Sequence, residues 1–366
     1  MQKRLSRTGS LKYRIINIKT AAIKPKASVL IIYSGGTIGM VRDSSGSLVA
    51  LKFNQIMQQL PSLNTLNVSI TVISFPIPMD SSNMNYQNWI DIGYIIYENY
   101  HHYDGFVVLQ GTDTMAYSAS ALSYILEGLN KPVVFTGAQL PISAIRSDAR
   151  PNLITAIEIA SKKRGNRPVV PEVSIYFDYQ LLRGNRTRKI RSSQFGAFES
   201  ENHPMLAKIG INIEFNHSAI KKYEKNRQLA FHEKYEPNVV IMKLFPSITL
   251  SVIKSITNIE DLKGIVLETY GSGNAPTDDW FISQLKNAID RGIIIFNVSQ
   301  CSGGKVIHGR YATSKKLQEI GVISGWNITT EAAITKLMFV LGQETETEKI
   351  KERLSTPICG EMDVGL

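Results

Sequence analysis

Short runs of apolar, β-branched residues recur through the first half of this 366-residue chain: VLIIY (29–33), LNVSITVI (66–73), GFVVLQ (105–110), PVVFTG (132–137) and VSIYF (173–177). Helix-like segments lie between them, near 86–100, 113–129 and 147–163. A strand that is apolar along its whole length is covered on both faces, so the alternation predicts a mostly parallel sheet flanked by helices. From 214 to 236 the chain turns polar and loses its period, as NHSAIKKYEKNRQLAFHEKYE shows. The alternation then resumes with VVIMKL, GIVLETY and GIIIFNV, separated by helical stretches such as DDWFISQLKNAIDRG. The expected fold is α/β with two α/β domains. A larger N-terminal domain spans 27–213, a linker 214–236, and a smaller C-terminal α/β domain 237–366, after a basic extension at 1–26. No internal repeat or low-complexity tract interrupts this plan.

Composition narrows the function classes. The apolar share of 43% supports a substantial buried core. Of the net charge of +10, residues 1–26 carry +8, from Lys3, Arg4, Arg7, Lys12, Arg14, Lys19, Lys24 and Lys26 with no acidic residue. The remaining 340 residues hold only +2, so the body of the protein presents no nucleic-acid signal. The extension has no unbroken apolar segment of the secretory kind; its composition fits either a solvated basic tail or an organellar transit peptide. Two cysteines, Cys301 and Cys359, make neither a disulfide framework nor a metal spacing. Nothing approaches the roughly 20 apolar residues of a membrane span. The expectation is a cytoplasmic protein with neither nucleic-acid nor membrane partners.

In open α/β sheets, ligands bind beyond the carboxyl ends of the strands, so the chemistry of this chain is expected in the loops there. After the first strand comes SGGTIG, where Gly35 and Gly36 deliver Thr37 in place of the lysine or third glycine of a phosphate loop. On this segment alone a tight structural turn is an equal reading. QGTDTMAYSASAL places Thr112 and Asp113 ahead of a helical pattern, where they also read as helix caps. PMDSSNM gathers Asp80, Ser81, Ser82 and Asn83, also readable as a capped turn. RGNRTRK gathers Arg183, Arg186, Arg188 and Lys189, also readable as a solvated basic turn. Together they contain the parts of an acyl-transfer site: a hydroxyl nucleophile, a proton acceptor and oxyanion donors. None of the six histidines lies in these loops, so a serine-protease arrangement is not supported. A lysine can serve as base where burial or neighbouring positive charge disfavours its ammonium form.

SGGTIGM, PMDSSNM, QGTDTMAYSASAL, TGAQLPISAIRSD, RGNRTRK, YGSGNAP and TTEAAITKL, in this order from about residue 27 to the C-terminus, resemble the bacterial L-asparaginases, most closely their type I, cytoplasmic branch. The pairing of GGTIG with GTDT is specific to that family; residues 1–26 fall outside the resemblance. It implies hydrolysis of the side-chain amide of L-asparagine to L-aspartate and ammonia, with Thr37 forming a covalent β-aspartyl intermediate. Thr112, Asp113 and Lys189 would form a second threonine-centred catalytic triad. Asp80, Ser81, Ser82, Thr112 and Asp113 would hold the substrate's α-amine and α-carboxylate, and Asn274 would come from a neighbouring subunit. The implied assembly is a homodimer or homotetramer, and no metal or organic cofactor is needed. Backbone N–H groups near Thr37 and Thr112 are the expected oxyanion donors.

Two features depart from the family pattern. Ser47 stands where many members carry a lid tyrosine ten residues past the nucleophile, within VRDSSGSLVAL. Some type I relatives bind a second asparagine as activator through a threonine, an arginine and a cysteine; those positions here are Arg188, Glu268 and Cys301. Glutamate would face the effector's α-carboxylate with like charge, at about 4 kcal/mol for charges about 4 Å apart at an effective dielectric of about 20; pairing of Arg188 with Glu268 would close the pocket. Loss of activation by asparagine is therefore expected. Alternative functions are an asparaginase-like subunit of a tRNA-dependent amidotransferase and a non-catalytic amino-acid-binding α/β module. The former carries an extra domain before its first GGT strand, where only about 26 residues stand here; the latter has no need of Thr37, Thr112 and Lys189 together.

Overall fold

The computed structural model describes residues 2–5, 11–18, 25–42, 48–50, 66–309 and 312–365. They form two units, Met1–His232 and Glu233–Leu366.

The first unit is built on a ten-stranded sheet. In chain order its strands are β1 (Gln2–Leu5), β2 (Leu11–Ile18), β3 (Ala27–Gly35), β4 (Val68–Met79), β5 (Gly105–Leu109), β6 (Val133–Thr136), β7 (Val173–Phe177), β8 (Gln180–Arg183), β9 (Ala207–Ile209) and β10 (Ile213–Phe215). Their spatial order is β1-β2-β4-β3-β5-β6-β7-β8-β9-β10. The five central strands, β4-β3-β5-β6-β7, are mutually parallel and both margins are antiparallel. The helices are α1 (Tyr86–Asn99), α2 (Met115–Ile125) and α3 (Ala149–Ser161). Every residue of β5, β6 and β7 is buried, as continuous apolar strands require when both faces are covered. Val29, Ile31, Val107, Leu109 and Val134 are fully inaccessible in one core cluster with Leu153 and Ile157 of α3. Each such side chain contributes about 1.5–3 kcal/mol. Helix α2 is lined with small residues, Ala116, Ser118, Ala119, Ser120 and Ala121, so it packs closely on every side and nearly all of it is buried.

The chain crosses from β4, on one side of β3, to β5 on the other. The carboxyl ends of β3 and β5 therefore flank the topological switch point, where open α/β sheets bind ligands.

The N-terminal segment differs from its reading as a solvated tail. Leu11–Ile18 pairs antiparallel with β4, from Arg14 opposite Ser74 to Ile18 opposite Ile70, and Tyr13 is buried. In LKYRIINI, Leu11, Tyr13 and Ile15 alternate with Lys12 and Arg14; this period of two makes a strand, here paired between β1 and β4, and is hidden when only net charge is counted. At the other end of the expected N-terminal domain, β10 continues the sheet to Phe215.

The second unit is a four-stranded, all-parallel sheet: β11 (Val239–Lys243), β12 (Gly264–Thr269), β13 (Ile294–Ser299) and β14 (Ile323–Ser324), adjacent in that order. Helices Leu250–Thr257, Asp279–Asp290, Ala312–Glu319, Thr330–Gln343 and Thr347–Ser355 accompany it. Among the described residues no helix is long and apolar enough to cross a membrane.

Candidate active site

Glycine brings the strand-end loops together. Gly36, after β3, has φ 93, and a Cβ there would sit 2.4 Å from the Gly111 nitrogen after β5. A Cβ on Gly111 would lie 2.5 Å from Ser81 Oγ, in the loop after β4. Three loops from three neighbouring strands thus meet with no room for a side chain between them. Ser34 Oγ donates to the Leu109 carbonyl at 2.8 Å and fastens the ends of β3 and β5. Thr37 opens the single turn Thr37–Gly39 immediately past Gly36 and is half-buried, while Ile38 and Gly39 are buried.

Thr112 and Asp113 do not act as helix caps. The N-cap of α2 is Thr114, whose side chain makes no capping bond. Its hydroxyl donates instead to the Ser81 carbonyl at 2.7 Å, locking the β5 loop to the β4 loop. This frees the two preceding side chains for Lys189. Lys189 Nζ donates to Thr112 Oγ1 at 2.8 Å and to Asp113 Oδ1 at 2.6 Å. Thr112 is buried, whereas the Asp113 side chain is 66% exposed against 16% for Lys189. An ion pair this open adds little stability, so its effect is to orient the ammonium. Lys189 reaches the site from the turn Gly184–Arg186 and the two-residue strand Arg188–Lys189, paired with Phe198–Glu199. Gly184 packs against α2, where a Cβ would be 3.0 Å from that of Ala119.

Gln139 escaped the reading of the sequence although it lies inside TGAQLPISAIRSD. Its Nε2 donates to the carbonyls of Ser192 (3.1 Å) and Gln194 (2.9 Å). Carbonyls only accept, so the amide orientation is fixed and Oε1 faces Thr112 Oγ1 at 3.2 Å. The Thr112 proton therefore points to Gln139, and its lone pair receives the Lys189 ammonium. Asp148, ahead of α3, holds the Gln139 backbone by accepting from its N–H at 2.9 Å and from that of Leu140 at 3.0 Å.

The Asp80 loop keeps its structural role. Asp80 caps the turn Ser81–Asn83, with Oδ1 accepting from the Ser82 N–H at 3.0 Å. Ser81 is buried and Ser82 exposed. Asn274 belongs to the second unit, on a turn after β12 where Tyr270 and Asn274 exchange backbone hydrogen bonds of 2.9 Å. There Glu268 is buried, bound by the Thr330 hydroxyl at 2.5 Å and by Lys243 at 3.7 Å. Cys301 is exposed. Ser47 lies outside the described residues.

This fold, with two threonine loops at the switch point and a lysine from a third segment bonded to one of the threonines, defines a class that the comparisons name. The family described as asparaginase, N-terminal matches residues 28–221, and glutaminase/asparaginase C-terminal domain matches 238–354. The chain belongs to the asparaginase family. It is 38% identical to L-asparaginase 1 of Escherichia coli over 339 residues, covering 92% of this chain and 98% of that one. It is also 39% identical to the mouse 60 kDa lysophospholipase, covering 93% of this chain and 63% of that protein. The crystal structure of L-asparaginase I from Vibrio cholerae superposes with a TM-score of 0.84 at 37% identity, covering 92% and 99% of the two chains.

Proposed function

We propose that this protein is an L-asparaginase that hydrolyses the side-chain amide of L-asparagine through an ester on Thr37. The observation that carries this reading is the Thr112–Lys189–Asp113 cluster, with Lys189 Nζ 2.8 Å from Thr112 Oγ1, in a loop that touches the Gly36–Thr37 turn. Thr37 Oγ1 attacks the amide carbon, and backbone N–H groups of the converging loops stabilise the oxyanion. Collapse expels ammonia after the nitrogen takes a proton, and leaves a β-aspartyl ester. Water then attacks that ester, the Thr37 oxygen regains a proton, and aspartate departs. Thr112 and Lys189 carry the protons; Asp113 orients Lys189 and receives the substrate's α-ammonium. Asp80, Ser81 and Ser82 hold the α-carboxylate and amine, the N–H groups and hydroxyls of such a turn being good anion receptors.

A loop that fixes the main-chain end of the substrate makes the enzyme selective for asparagine over glutamine, because one methylene moves the amide past the attacking oxygen. The same reading makes the protein cytoplasmic and a homodimer or homotetramer, with Asn274 supplied by a second copy. Ammonia release from L-asparagine tests it. The wild-type chain should turn over and Thr37→Ala should fall to background with its thermal transition unchanged. A Thr37→Ala protein of near-normal activity would sink the assignment.

A further inference from the structure

Beneath the turn that carries Asn274 lies a hydrogen-bond chain from three separate segments, buried at two of its three members. Thr269 ends β12 and Asn297 lies in β13; both side chains are completely inaccessible. Thr269 Oγ1 donates to Asn297 Oδ1 at 2.7 Å, and Asn297 Nδ2 donates to His308 Nε2 at 3.2 Å. The imidazole is therefore neutral, with its proton on Nδ1. Burial pushes its pKa down to about 4, which keeps it neutral.

Each member adjoins the turn. Thr269 is the residue before Tyr270, where the turn starts. Asn297 forms part of its floor: at Gly273, φ 105, a Cβ would lie 3.6 Å from Asn297 Nδ2 and 3.0 Å from Val306 Cγ1. His308 follows Ile307, whose N–H donates to the Ser272 carbonyl at 3.1 Å, and Ser299 Oγ donates to the Gly271 carbonyl at 2.6 Å. The His308 loop is anchored in turn by Val306, with its N–H on the Trp326 carbonyl and its carbonyl on Ser324 Oγ. The turn is thus held from below and from one side by a loop about 30 residues further along the chain. Apolar residues could fill the same space with no polar group to satisfy. Hydrogen bonds add direction, because they fix angle as well as distance.

We infer that Thr269, Asn297 and His308 are positioning residues that set the Asn274 turn for substrate; this rests on the functional reading above, in which Asn274 touches asparagine. His308→Leu removes the acceptor and leaves Asn297 Nδ2 buried and unpaired. His308→Gln restores an acceptor oxygen. Thr269→Val, which keeps the side-chain shape, breaks the other end of the chain and serves if His308→Leu does not fold.

The test joins hydrogen exchange of the 265–276 peptide with steady-state ammonia release. His308→Leu or Thr269→Val should exchange the 270–274 amides at least about tenfold faster. Either should raise KM for asparagine about tenfold while kcat stays within about threefold, as loss of a ground-state contact does. His308→Gln should return both quantities to within about threefold of wild type. Unchanged exchange in folded His308→Leu and Thr269→Val proteins overturns the inference. So does faster exchange with unchanged KM, or an equal loss in His308→Gln. A wild-type chain inactive on asparagine refutes the functional reading instead, and exchange, which needs no substrate, tells the two failures apart.

Discussion

Replacing Gln139 with methionine keeps the length of the side chain and removes the amide that directs the Thr112 proton. Three hydrogen bonds disappear: to Thr112 Oγ1 at 3.2 Å and to the carbonyls of Ser192 and Gln194 at 3.1 and 2.9 Å. The two carbonyl contacts are exposed, so water takes them over, and the expected loss of stability is only about 1–2 kcal/mol. The kinetic effect is larger. With its acceptor gone, the Thr112 hydroxyl spreads over three staggered wells, which alone costs roughly threefold. The loop carrying Ser192 and Gln194 follows Lys189 directly, and a shift of the order of 1 Å in that pairing costs up to about 100-fold. Gln139→Met should therefore lower kcat by about 10–100-fold with a smaller change in KM. Coupled ammonia assays on protein matched for thermal transition measure this. A kcat within about twofold of wild type would show that the amide does not direct Thr112, and the proton geometry drawn here would be wrong.

Three further outcomes are expected. Lys336 and Glu361 form an ion pair of 2.8 Å with neither side chain exposed, so Lys336→Met strands a buried carboxylate and should cost about 3–5 kcal/mol in a urea titration; a loss under about 1 kcal/mol would contradict that. Burial pushes the His308 pKa down to about 4 in the folded protein, from an ordinary 6.5 when unfolded. The unfolded state binds the proton first, so this contribution is complete above pH 6.5, declines as pH falls from 6.5 towards 4, and totals roughly 3 kcal/mol. The difference in stability between pH 7 and pH 4 should shrink by that amount in His308→Gln, and an identical profile would refute the burial argument. Finally, the loss of asparagine activation expected from the resemblance at Arg188 and Glu268 means that initial rates should rise hyperbolically with asparagine; a Hill coefficient clearly above 1 at fixed oligomeric state would show that an effector pocket operates.

The parallel core was legible because strands covered on both faces are apolar throughout, and VVLQGTDT and VLIIYSGGT announce both strand and site. Thr37, Thr112 and Asp113 were nominated for the same reason: they stand where such strands end. The N-terminal strand was not found, because eight cations in 26 residues outweighed the period of two in LKYRIINI. That Thr112 and Asp113 are not the caps of α2 could not be read from the sequence, because it depends on Thr114 taking the N-cap position while its hydroxyl bonds Ser81. Gln139 was invisible because its meaning depends on the carbonyls of Ser192 and Gln194, more than 50 residues away. A glutamine in a loop has no sequence signature of orientation. The Thr269–Asn297–His308 chain was hidden likewise, since its members meet only when β12, β13 and the following loop are assembled.

Whether Thr37 carries the acyl group is settled most directly by acid-quenching the wild-type protein during turnover of saturating asparagine and mapping its peptides by mass. One aspartyl group should appear on the peptide containing Thr37, disappear on chase with buffer, and be absent from Thr37→Ala. An aspartyl group on the peptide containing Thr112 instead, or steady turnover by Thr37→Ala, would contradict the assignment of the nucleophile.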